Sequence, residues 1–367
     1  MNKVFKTFHS GRHVFFLMVF ICIVVGVAVL KIASTVILPF LIAALLAFVM
    51  YPLIKALDKI RCPRFVSILL ILIIIVTGMF IFGTVLFQAG MMIVEQFPQY
   101  EDRVEVLYLW VADLFDLPND EALTIWQNLW DQAAIRSFVR DFTFSVSNFS
   151  FRFVSSAVLV ILFLVFILLE ASYFKLKLIT AFENRFERLS RIGNEIVNQV
   201  TRYLGAKFLF SLANGIIYAV GFSFVGLEFA IVWGIIQFFM NFIPTLGSIA
   251  TGVAISLFAL MQFWPDPTPV IIVVAIILVV NLILSNFLDP KLVGEHVGIS
   301  PLVVLISLSI WGYIWGFIGM LLAVPLTVII KIICENFPML EPVSILLGSK
   351  KSVLAKKAEY EKNEQQS

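Results

Sequence analysis

The sequence predicts an all-α, polytopic helical membrane protein, and three observations carry that expectation. Hydrophobic residues make up 61% of the 367 positions and charged residues 14%, against roughly 45–50% and about 25% in a soluble domain. The mean hydropathy is +1.01. The apolar residues come in long unbroken runs, which excludes the diluted alternation of a transmembrane β-barrel. Lysine and arginine gather in alternate connecting segments, as the positive-inside rule requires. A soluble enzyme, a disordered chain and a disulfide-stapled module are excluded by the same figures. A net charge of +2 gives no argument for nucleic acid. Cys22, Cys62 and Cys334 have neither disulfide nor metal-ligand spacing.

The first apolar run, Val14 to Leu30, follows Lys3, Lys6 and Arg12 and lacks a small-x-small cleavage site, so it reads as an uncleaved span. A second runs from about Thr35 to Ile54, and the two are expected to form a helical hairpin turning near Lys31–Ser34. Basic residues Lys55, Lys59, Arg61 and Arg64 precede the third, Phe65 to Phe87, and the fourth covers Phe153 to Leu169. Between these last two, 95–152 holds ten acids and four basic residues; Leu107, Trp110, Val111 and Leu114 are spaced like one face of a short helix, and Trp126 and Trp130 belong to further short helices or are interfacial anchors. In 172–205, Leu178, Phe182, Phe186, Leu189, Ile196 and Val200 form one stripe with arginines on the other faces, an amphipathic surface helix or a helix packed under the bundle. Lys207 opens the next span and is expected to snorkel to the inner surface. The charge count places both termini, 55–64 and 172–207 in the cytoplasm and 95–152 outside. The chain thus divides into membrane helices over 1–94, an extracytoplasmic helical segment over 95–152, a fourth membrane helix over 153–171, a cytoplasmic amphipathic helix over 172–205, an interrupted membrane region over 206–334 and a cytoplasmic tail over 335–367.

In the interrupted region the apolar runs are short and broken by proline, glycine and amides. The segment 229–263 must enter and return, as two spans or as a hairpin broken at Pro244. The segment Pro301–Ile333 reads as a second hairpin folded at Gly312, Gly316 and Gly319. Broken helices expose backbone groups at a cost of several kcal/mol each in hydrocarbon, so they survive only against protein or a water-filled cavity. Paired interruptions therefore point to a solute pathway. Its candidate residues are Gln237, Asn241, Pro244, Gly247, Asn281, Asn286, Gly294, Pro301, Gly316, Gly319 and Pro325. Gln237 and Asn241 share a helix face, and amides suit a neutral, hydroxyl-rich solute; plain interhelical hydrogen bonding is the alternative. Asp289, after a long span and before Pro290, is the candidate proton or cation carrier, or else a helix cap.

These interruptions also carry a resemblance. Trp233-Gly234, Asn241-Phe242-Ile243-Pro244-Thr245-Leu246-Gly247, Asn286 to Gly294 with Gly298-Ile299-Ser300-Pro301, and Gly316 to Leu326 are together similar to the signature of the autoinducer-2 exporter family. The resemblance spans roughly 30–348 and implies a bacterial inner-membrane protein of about eight membrane helices, homo-oligomeric, whose relatives are linked to export of a signalling furanone or to sodium/proton exchange. With no Walker motif, phosphate loop or nucleophile elbow in the sequence, the expectation is a non-enzymatic, gradient-driven exporter of a small polar metabolite, autoinducer-2 among the candidates. It needs no cofactor, and its partners are the bilayer, the solute or cation, and copies of itself. A sodium(cation)/proton antiporter and a non-transporting membrane scaffold stand as alternatives.

Overall fold

In hydrocarbon every backbone N–H and C=O needs an internal partner, and a continuous helix supplies one for each. The long apolar runs fold accordingly. The computed structural model describes residues 2–85, 154–171, 186–288 and 298–350, scattered positions between 87 and 181, and 352–354, without the side chains of 2–13, 15, 16, 23 and 285–288. The segment 95–152, Asp289, Gly294, His296 and the tail beyond 354 lie outside the described residues, as does the side chain of Asn286.

Helix α1 covers Asn2–Ile32 and α2 covers Ser34–Lys59. The turn expected over 31–34 is compressed into the single residue Ala33, at φ −81° and ψ 9°. Its N–H still bonds to Val29 and its carbonyl accepts from Ile37, so the helical ladder nearly carries through. Helix α3 is Arg64–Val85 and α4 is Val154–Ala171. Ala43 of α2, Ile68, Ile71 and Ile75 of α3, and Val160, Leu164 and Leu168 of α4 pack into one core.

Helix α5, Phe186–Val225, is 40 residues long, about 60 Å. It joins the expected amphipathic helix to the expected span without a break at 205, because nothing between Phe186 and Val225 stops a helix. It exceeds a hydrocarbon core of about 30 Å, so its charged N-terminal turns project beyond the apolar layer. Gly226, in the left-handed region at φ 81°, turns the chain. Helix α6 then covers Ala230–Met240, α7 Leu246–Phe263 and α8 Pro267–Val280, whose last turns widen into a π-helix over Asn281–Leu288. Asp266 caps α8 by accepting the Thr268 N–H at 2.9 Å.

The segment after the first turn returns to where it began. The Gln262 side chain accepts from the Glu228 N–H at 2.8 Å and donates to the Gly226 carbonyl at 2.9 Å. Both ends of 229–263 are therefore tied together. Helix α6, with 11 residues, is about 16 Å long, near half the hydrocarbon thickness. The segment is a hairpin broken over 241–245, with α6 too short to cross.

Helix α9, Pro301–Asn336, contains Gly316 at φ 63° and ψ −142° and folds back there. The Thr327 hydroxyl donates to Ser307 at 2.9 Å, a pair that a straight helix would hold about 30 Å apart. The hairpin expected at the glycines is thus present. Its base is tied to the short helix α10, Glu341–Leu347, through the Ser300 N–H to Leu347, the Ser349 N–H to Gly298 and an isolated β-bridge between Ile299 and Gly348. The Arg188 guanidinium, on the first turn of α5, donates to the Asn336 carbonyl and lies over the Phe337 ring. The base of this second hairpin therefore lies at the N-terminal end of α5, whereas the first hairpin springs from its C-terminal end. The two enter the molecule from opposite ends.

Candidate functional site

The hairpins meet. Ile243, in the break of the first, packs with Leu308 and Ala323 of the second, and Met240, Trp311 and Met320 close around them. The broken backbone is thus covered by protein, which is the condition for its survival. Gly247 and Gly319 permit the tight folding at each tip. A Cβ on Gly247 would strike the Met240 carbonyl, and one on Gly319 would strike the carbonyl of Trp311. Ile243 and Gly247 are bonded to each other through the Gly247 N–H at 3.1 Å, across Pro244.

Beside this junction α5 and α6 cross in near backbone contact. A Cβ on Gly215 would lie 2.7 Å from the Gly234 carbonyl oxygen, and the relation is reciprocal. Asn241 donates to the Ser211 hydroxyl at 3.0 Å. The pairs Gly215–Gly234 and Ser211–Asn241 define an antiparallel register, which sets Gln237 at the height of Asn214. On α5, Lys207, Ser211, Asn214 and Tyr218 recur at spacings of four, three and four, so they share one helix face. All four are buried, as are Gln237 and Asn241 facing them. Asn281, at the start of the π-helical turn, faces the Tyr218 hydroxyl.

This is a polar seam inside an apolar layer. Asn214 is about 17 Å along α5 from its end at Val225, and the antiparallel register holds Gln237 level with it. That distance is about half of a hydrocarbon core about 30 Å thick. Neither oxygen nor nitrogen of the Gln237 amide has a hydrogen-bond partner, and the Asn214 Oδ1 has none. A buried, unsatisfied amide costs roughly 1–3 kcal/mol, so such groups in a native fold call for an explanation.

The candidates from the sequence separate into groups. Gln237 and Asn241 line the seam, Asn281 reaches it through Tyr218, and Pro244 and Gly247 form the tip beside it. Gly316, Gly319 and Pro325 belong to the second hairpin, where Pro325 is buried. Pro301 starts α9 at the hairpin base, exposed and far from the tip. The expectation for Lys207 is overturned: its distance along α5 suits a membrane border, yet it is 2% exposed and turns into the protein. Ser211 and Asn214 escaped the sequence reading altogether; the signal was their four-three-four spacing with Lys207 and Tyr218 in an otherwise apolar run. Among the described residues no cluster of His, Cys, Asp or Glu could hold a metal ion.

Two interrupted hairpins entering from opposite ends and meeting beside a buried polar seam define a class: polytopic membrane proteins built as solute transporters. The family model described as AI-2E family transporter matches residues 17–339. The chain belongs to this family. It is 29% identical over 334 residues to a protein of Borreliella burgdorferi provisionally named a transport protein, covering 90% of each chain. A similarly named protein of Haemophilus influenzae is 29% identical over 89% of this chain and 94% of its own. The AI-2 transport protein TqsA of Escherichia coli is 28% identical over 95% of this chain and 98% of its own.

Proposed function

We propose that this transporter exports a small polar metabolite from the cytoplasm across a bacterial inner membrane, driven by an ion gradient, and that it works as a homo-oligomer. The single observation behind this reading is the meeting of the opposed hairpins at Ile243, Leu308 and Ala323 beside the polar seam. Alternating access needs elements that can shift against one another around a fixed polar site near the midplane, and interrupted helices provide them. The excess of basic residues in 55–64 and 172–207, against the acidic 95–152, favours a cytoplasmic side for both termini. The relative named for AI-2 transport makes autoinducer-2, and with it quorum sensing, the first cargo to try.

Asp289 is the proposed coupling acid, since an ionisable residue beside a membrane span is a natural carrier of a proton or cation. Inside-out membrane vesicles test both parts. Vesicles containing the protein should take up autoinducer-2 or another small polar solute above empty-vector vesicles, and collapse of the ion gradient should abolish the difference. Asp289→Asn should transport without responding to the gradient. Absence of any protein-dependent uptake would refute export, and unchanged gradient coupling in Asp289→Asn would remove the acid from the mechanism.

A further inference from the structure

We infer that Asn214 and Gln237 are a solute-binding pair. Their ligand class is a neutral polar solute that presents a hydrogen-bond donor and acceptor side by side together with a second donor, such as an α-hydroxy carbonyl compound. This rests on the transport reading and assigns its site. The Gln237 amide offers an acceptor oxygen and a donor nitrogen on one edge, both without a protein partner and fully buried. Asn214 adds an unpartnered acceptor oxygen at the same height on the facing helix, and it is 1% exposed. A solute that satisfies all three must therefore donate at least twice and accept once. The adjacent donor and acceptor of an α-hydroxy carbonyl edge meet an amide in a paired ring of two hydrogen bonds. An anion, all acceptor, would leave both amide oxygens unmatched.

The neighbouring Asn241–Ser211 bond fits this assignment. It occupies the amide one turn from Gln237, so that Asn241 is spent within the protein while Gln237 is not. The seam thus has one closed rung next to one open rung.

Two properties separate a binding role from a structural one. Replacing an unpartnered buried amide by an apolar side chain of the same shape removes a desolvation penalty and leaves the fold as stable or more so. The test uses inside-out vesicles supplied with a uniformly ¹³C-labelled cytosolic metabolite extract, with uptake read by mass spectrometry. Thermal unfolding of the purified full chain is measured in parallel. The wild-type protein should accumulate neutral solutes carrying the donor–acceptor edge. Asn214→Leu and Gln237→Leu should each lose about tenfold or more of that uptake, the equivalent of one hydrogen bond to a buried group, with the midpoint of unfolding unchanged or raised. Ser211→Ala, which frees the Asn241 amide, should instead lower the midpoint. Full uptake in both leucine variants, a lowered midpoint in them, or wild-type cargo that is exclusively charged would each overturn the pair while leaving transport intact. No wild-type uptake above empty vesicles would overturn the pair together with the transport reading.

Discussion

Glycine decides how closely α5 and α6 approach, and that approach is what brings Asn214 level with Gln237. The contrast between two helical glycines makes the point testable. A Cβ on Gly234 would press on the Gly215 carbonyl and the Ala219 side chain, whereas a Cβ on Gly205 would meet nothing within 4 Å. Gly234→Ala should therefore lower thermal stability by about 1–3 kcal/mol, the usual cost of overpacking. Gly205→Ala should raise it by up to about 1 kcal/mol, the helix-propensity difference between the two residues. Equal effects on the unfolding midpoint would contradict the close crossing. At this scale the sequence was only partly legible. Gln237 and Asn241 stood out because amides are rare in an apolar run and four apart they share a face. Lys207 looks like a border residue in the sequence because it is the last charge before a long apolar stretch. Distance along a helix is visible in a sequence, but the direction in which a side chain leaves it depends on what the helix packs against.

At the scale of elements, both interruptions were legible, because proline and glycine act locally. Pro244 falls within the break between α6 and α7, and Gly316 holds a backbone conformation that side chains with a Cβ disfavour. Gly316→Ala should accordingly cost about 1–3 kcal/mol in thermal stability, the range for a residue forced into a sparsely populated region. A neutral effect would mean that the fold of α9 does not depend on that conformation. The continuity of α5 was less legible. Its N-terminal half is amphipathic and its C-terminal half apolar, so composition changes midway while the backbone does not. The register of α5 against α6 was not legible at all, since it arises from a contact between glycines that are 19 positions apart in sequence and lie on different helices.

For the whole molecule, the apolar excess explains residence and little else. The large side chains exposed along the spans, such as Phe20, Phe80, Phe166 and Phe224, face the surrounding hydrocarbon, where their exposure carries no hydrophobic cost. What sets this chain apart is the arrangement of its exceptions: hairpins from opposite ends, a tip-to-side contact between them, and polar groups placed near mid-depth. Composition could announce the class, and the sites of interruption could be read from single residues, but their convergence is a product of the packing. In the mechanism proposed above, solute passes by relative movement of the two hairpins. Locking them together tests this. With Cys22, Cys62 and Cys334 replaced by serine, Ile243→Cys is combined with Leu308→Cys and, separately, with Ala323→Cys, residues of one packed cluster. Uptake into inside-out vesicles is then followed before oxidation, after complete cross-linking and after reduction. The account predicts that cross-linking stops uptake and that reduction restores it; uptake at the original rate through fully cross-linked protein would contradict it.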